Sequence, residues 1–178
     1  CRTSAAKIEK GTVWKEVWEK DNRTIDVAQK AIEAGKALTA PRNDWAEEPL
    51  KIATWNIQYL AKKPSWKEFR LPAIYALLNE YEFDVFGSQE PYLPQIEDIM
   101  EGVSDKYAWV GECTGDKDSR KTHYNPIFYR KDRLELLETG TVPYSETKGT
   151  SGYGAMYARA CTWAKFMDRK TGKIFYFF

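Results

Sequence analysis

Two short apolar runs in this sequence end in oxygen-bearing side chains. Ile52-Ala-Thr-Trp closes on Asn56, and Asp84-Val-Phe-Gly-Ser closes on Gln89-Glu90. In α/β proteins ligands collect outside the carboxyl ends of strands. If the two runs are neighbouring parallel strands, Asn56 and Glu90 stand side by side at one rim of a sheet. There an amide oxygen and a carboxylate can share a hard divalent cation, and Mg²⁺ suits oxygen donors of this kind. On spacing alone a second pair of roles fits the same residues: Asn56 capping a turn, and Glu90 as a solvated acid before Pro91.

The surrounding pattern supplies elements that would position such a pair. From Leu50 short strands alternate with helices: a strand over Leu50–Asn56, a helix over Trp66–Tyr81 with Pro72 in its first turns, and a strand over Phe83–Glu90. A second helix follows at Leu93–Met100, with Leu93, Ile96 and Met100 at helical spacing and Gly102 closing it. Strands are then expected over Tyr107–Glu112, Asn125–Arg130, Leu134–Gly140, Ala160–Phe166 and Ile174–Phe178, the last two as a hairpin around Arg169-Lys-Thr-Gly172. The economical fold class is an α/β layered sandwich.

In order along the chain, Leu50-Lys-Ile-Ala-Thr-Trp-Asn-Ile-Gln-Tyr59, Asp84-Val-Phe-Gly-Ser-Gln-Glu90, Asn125-Pro-Ile-Phe-Tyr-Arg130 and Arg159-Ala-Cys-Thr-Trp-Ala164 resemble successive motifs of the endonuclease/exonuclease/phosphatase family. The resemblance covers Leu50–Phe178. It implies the first half of a four-layer α/β/β/α sandwich of the metal-dependent phosphoesterase type. It also implies hydrolysis of a phosphate ester, with Glu90 holding Mg²⁺ (or Mn²⁺ in its place) and Asn56 orienting the metal site or the phosphate. The chemistry is coherent, since a cation neutralises charge on the phosphoryl oxygens while a base aligns water for in-line displacement. The family's base and orienting groups come from later Asn-Thr-His-like, Gly-Asp-Phe-Asn-like and Ser-Asp-His-like motifs, which are not among these 178 residues. The expectation is that this chain alone is inactive.

Three further residues are candidates for the substrate side. Arg159 can present a bidentate guanidinium fork to a phosphate, and the resemblance implies that it faces the cleft; a structural ion pair is its other role. His123, the only histidine, stands near the family's substrate-facing loop and can contact phosphate, or sit as a surface residue in a polar turn. Asn125 can line the cleft or simply start a turn before Pro126. Glu97, Asp98 and Glu101 read as a solvated helix face, Gly149–Gly154 as a mobile loop without a phosphate-binding signature, and Cys113 and Cys161 as core residues.

Lys and Arg total 27 against 26 acidic residues, so the +1 net charge provides no broad cationic surface for tracking a polynucleotide. The phosphorylated substrate is therefore open among a small molecule, a lipid headgroup and a nucleic acid, with the charge balance leaning to the first two. A non-catalytic adaptor that uses the same half-fold to bind carbohydrate or protein is the alternative function. No apolar run approaches the roughly 20 residues that span a bilayer. Residues 1–48 read as a helical extension and linker ahead of the domain at 49–178, and Cys1 raises the expectation of an exported bacterial protein lipidated at that residue.

Overall fold

Residues 49–59, 65–115, 120 and 122–178 are described by a computed structural model of the chain. The helical extension expected over residues 1–48 and the lipidation expected at Cys1 lie outside them. Strand β1 spans Ile52–Asn56. Its alternation sends Ala53 and Trp55 into a core shared with the helices and leaves Ile52, Thr54 and Asn56 on the opposite face. A π-helical turn, Trp66–Arg70, leads directly into α1, Leu71–Tyr81. Pro72 stands at the start of α1, where the π-helical turn passes into the α-helix. Strand β2, Val85–Gln89, lies parallel to β1, with Ile52 opposite Val85 and Asn56 opposite Gln89.

Helix α2 runs Leu93–Val103, beyond the Met100 boundary expected from sequence. Gly102 does not close it. A Cβ there would stand 2.4 Å from the Tyr75 ring, so the glycine serves a close crossing of α1 over α2, where the Tyr75 hydroxyl donates to the Asp98 carbonyl. Asp98 is likewise not a solvated acid: it accepts from Trp66 Nε1 at 2.7 Å and from Lys67 Nζ at 2.5 Å, which ties the π-helical turn to α2. Glu97, which pairs with Arg120, does stay exposed.

Strands β3 (Tyr107–Val110) and β4 (Ile127–Arg130) complete a four-stranded mixed sheet in the order β1-β2-β4-β3. Strands β5 (Leu134–Pro143), β6 (Ala160–Asp168) and β7 (Ile174–Phe177) form a second, antiparallel sheet. The β6–β7 hairpin has the expected pairing, with Phe166 opposite Phe175. One core joins both helices to the first sheet around Trp66, Phe86, Ile96 and Phe128. A second joins the sheets to one another around Val85, Ile127, Ala164 and Phe166. The described residues thus stack as helices, sheet and sheet. Strand β2 is buried on both faces because Phe86 belongs to the first core and Val85 to the second. No helix among them is long and apolar enough to cross a membrane.

Candidate functional site

Parallel pairing of β1 and β2 brings the two polar strand ends to the same rim. Asn56 is paired with Gln89 in register, and Glu90 is the next residue along. The Ile57 N–H donates to the Gln89 carbonyl at 3.1 Å, so the two chains stay side by side for one residue past the strands. Glu90 is half-buried and turns the backbone there with φ +71°, a left-handed conformation that costs a non-glycine residue of order 1–3 kcal/mol. Its carboxylate makes no hydrogen bond or ion pair with any described residue, so the strain supports no structural contact of that side chain.

Asn56 is exposed and does cap a turn: its Oδ1 accepts the Gln58 N–H at 2.8 Å, with Gln58 itself at φ +58°. An amide oxygen has two lone pairs, so one remains for another donor or a cation, and Nδ2 is left to give hydrogen bonds. Asn125 is less open. Its Nδ2 donates to the Ala160 carbonyl at 2.8 Å, which stitches the loop before β4 to the start of β6, one residue from Arg159. Arg159 is exposed and forms no ion pair with a described residue.

His123 lies half-buried among rings, at 5.0 Å between centroids from Tyr59 and 5.4 Å from Tyr92. Burial pushes its pKa below the ordinary histidine value; the Glu90 carboxylate pulls it upward and the Arg159 guanidinium presses it down. That imidazole therefore senses both charged residues of the rim. Four candidates, Asn56, Glu90, His123 and Arg159, share one end of the molecule, with Asn125 bracing the loop between them. Beside them a cleft of about 210 Å³ between the sheets is lined in part by Gln89, Asn125, Tyr144, Cys161 and Thr162. Ser88, which also borders that cleft, has its Oγ buried without a partner.

The sequence reading missed the residues that hold this rim in place. Gln95 is fully buried and works in both directions: Oε1 accepts the Tyr92 N–H at 3.1 Å and Nε2 donates to the Gln58 carbonyl at 2.9 Å. Arg70, at the end of the π-helical turn, donates to the Ile57 carbonyl at 2.8 Å and to Gln58 Oε1 at 3.2 Å. Tyr124 N–H reaches the Pro91 carbonyl at 2.9 Å. Their only sequence signal is a polar residue on an otherwise apolar helical face, as Gln95 is beside Ile96 and Ile99.

Among the described residues no three His, Cys, Asp or Glu side chains cluster as a cation cage. One carboxylate and one amide oxygen nevertheless match the demands of Mg²⁺, which keeps several waters and takes one or two protein carboxylates. The donor set fits such an ion and does not fit a thiolate- or imidazole-bound metal.

No family model matches the sequence, and no curated protein matches it. Solved structures do. An endonuclease/exonuclease/phosphatase protein from Bacteroides vulgatus shares 33% identity over 71% of this chain and 50% of its own, with a TM-score of 0.65. A mannosyl-6-phosphatase from Bacteroides thetaiotaomicron shares 30% over 72% of this chain and 49% of its own, again at 0.65. A second endonuclease/exonuclease/phosphatase protein from that organism shares 30% over 71% and 48%, at 0.64. The chain spans about half the length of these structures. Two sheets in this order and likeness at this level agree: the chain belongs to the endonuclease/exonuclease/phosphatase family.

Proposed function

We propose that this chain contributes the metal-holding half of a Mg²⁺-dependent phosphate-ester hydrolase. The observation that carries the reading is Glu90: a carboxylate with no hydrogen bond or ion pair to a described residue, held at φ +71° one position past Gln89, the residue that pairs with Asn56 across the parallel strands. A strained conformation that supports no structural contact of its side chain is what a functional carboxylate requires. Glu90 would hold the cation, and Asn56 would orient the site through its remaining lone pair and Nδ2 donors. When bound, the ion supplies charge neutralisation at the phosphoryl oxygens.

Arg159 would grip the phosphate with its fork, and Asn125 would place Arg159 by fixing Ala160. Burial, which lowers the pKa of His123, favours its neutral form, and the imidazole would give or accept a hydrogen bond at the phosphate. The family's base and orienting motifs are not among these residues, so turnover by the 178-residue chain alone would be negligible. Likeness to a mannosyl-6-phosphatase supports a phosphorylated sugar as the first substrate class to test, and the near-zero net charge accords with a small substrate.

The test is Mg²⁺-dependent hydrolysis of mannose 6-phosphate, p-nitrophenyl phosphate and bis-p-nitrophenyl phosphate by the full product of the gene, with Glu90→Ala beside it. Turnover that needs Mg²⁺ and falls at least about a hundredfold in Glu90→Ala supports the reading. Absence of turnover, or turnover indifferent to Glu90, overturns it.

A further inference from the structure

Each of the three loops that carry a rim residue also delivers an aromatic or imidazole ring a few positions away. Tyr59 follows Asn56 by three residues, Tyr92 follows Glu90 by two, and His123 precedes Asn125 by two. The three rings meet. Tyr59 and Tyr92 stack at 5.5 Å with planes 22° apart, and His123 touches both, at 5.0 and 5.4 Å, with planes 39° and 32° from theirs.

Core filling does not account for the cluster, because Tyr59 is 49% exposed and none of the three rings belongs to either hydrophobic core. Nor is it loose. Gln95 fixes the Tyr92 backbone and the Gln58 carbonyl together, Arg70 fixes the Ile57 carbonyl, and the Thr114 N–H holds the His123 carbonyl at 2.8 Å. A half-open ring surface held by buried hydrogen bonds beside an unpartnered carboxylate is a pre-organised wall for a ligand.

We infer that Tyr59, Tyr92 and His123 form a ring-binding subsite that selects phosphate esters whose alcohol is a pyranose. The inference rests on the phosphoesterase reading of Glu90 and adds to it the residues that choose the substrate. A pyranose presents an apolar C–H face to an aromatic ring and a belt of hydroxyls around it; two phenol hydroxyls and an imidazole edge supply polar partners for that belt. Three rings with no Lys or Arg ring partner among the described residues fit a single sugar better than a stacked and charged polynucleotide. In this arrangement the ring lies on Tyr59 while its phosphate reaches toward Glu90 and Arg159, the two groups that His123 senses electrostatically. Tyr59 is thus a specificity residue and Gln95 a positioning residue for Tyr92.

The experiment compares kcat/KM for mannopyranose 6-phosphate, for acyclic glycerol 3-phosphate and for adenosine 5′-monophosphate, using the full gene product with Mg²⁺. The wild type is expected to prefer the pyranose ester over glycerol 3-phosphate by about tenfold or more. Tyr59→Ala is expected to collapse that ratio by about tenfold through KM, and Tyr59→Trp to preserve it. Because Tyr59→Ala could disturb the loop, Tyr59→Leu is measured in parallel, with a circular dichroism melt on each variant. A ratio unchanged in both apolar variants overturns the subsite, as does a wild type with no preference for the ring. Preference for adenosine 5′-monophosphate over the sugar ester overturns the pyranose assignment. If no substrate is turned over in a Glu90-dependent way, the hydrolase reading itself falls and takes the subsite with it. Glycerol 3-phosphate turnover without ring selection removes the subsite alone.

Discussion

At the residue scale, Glu90 and His123 make opposite statements about stability and function. A side chain at φ +71° pays a backbone penalty that glycine avoids. Glu90→Gly should therefore hold or raise the stability of the folded chain, by up to about 1 kcal/mol, while removing the carboxylate that the proposed cation needs. Chemical denaturation and Mg²⁺-dependent turnover, measured on the same variant, check the pair of effects; a large loss of stability would mean that Glu90 makes a structural contribution after all. His123 offers a pH signal that can be read alone, since it is the only histidine. Burial lowers its folded pKa below the unfolded value of about 6.5, so the unfolded chain binds more protons in that interval. Its contribution to stability is complete above about pH 6.5 and is lost as pH falls through the folded value. Thermal melts between pH 5 and 7.5 should show a decline on the acid side that His123→Phe flattens, and the Hδ2 and Hε1 resonances of the one imidazole should titrate with a midpoint below about pH 6.5.

At the element scale, a buried ion pair fastens the second sheet. Arg133, just ahead of β5, meets Asp168, the last residue of β6, with Nη2 to Oδ2 at 3.0 Å and Nε to Oδ1 at 2.9 Å, both residues buried. Burial alone would raise the pKa of Asp168, but hydrogen bonds from Arg133, from the Lys170 N–H and from Thr171 outweigh it and hold the carboxyl below its usual range. Asp168→Ala removes the carboxylate that faces a buried guanidinium and should cost about 3–5 kcal/mol, whereas the double change Arg133→Met, Asp168→Leu should come close to neutral; urea unfolding of the three proteins measures both. This pair was not legible in the sequence, because an Arg and an Asp 35 positions apart give no sign that a β-ladder will align them. The strands themselves were legible from alternation and turn residues, as at Arg169–Gly172, and so was the parallel pairing that sets Asn56 opposite Gln89, the residue before Glu90. What pattern reading could not find were contacts made by packing: Gly102 under Tyr75 and not at a helix end, Asp98 under Trp66 and not in solvent, Gln95 between two loops. The ring cluster escaped for the same reason. Tyr59, Tyr92 and His123 are each ordinary in sequence, and only the convergence of three strand ends makes them one surface.

At the scale of the whole molecule, the second sheet has two unlike faces. Phe175 and Phe177 pack into the core between the sheets, while Ile174 and Tyr176, on the alternate positions of β7, and Phe178 just past it are 55%, 52% and 75% exposed. Trp163 lies beside Tyr176 at 6.1 Å on that outer face, Tyr176 stacks on Phe178 at 6.4 Å, and the Lys165 ammonium sits 5.6 Å from the Tyr176 ring, so aromatic area is contiguous there. Among the described residues β7 is also the edge of its sheet, and β1, with Ile52 55% exposed, is the edge of the other. An apolar face joined to an edge strand presents both the surface and the unpaired backbone groups that drive association between copies. The 178-residue chain should therefore associate reversibly as its concentration rises through the micromolar range, and light scattering would register the rise in mass. Tyr176→Lys places a second cation next to Lys165 in the middle of the patch, where the two charges repel and a partner would have to desolvate both. That variant should remain monomeric over the range in which the wild type associates. A wild type that stays monodisperse at every concentration would show that Trp163 and Lys165 shield the patch well enough for the sheet to stand uncovered.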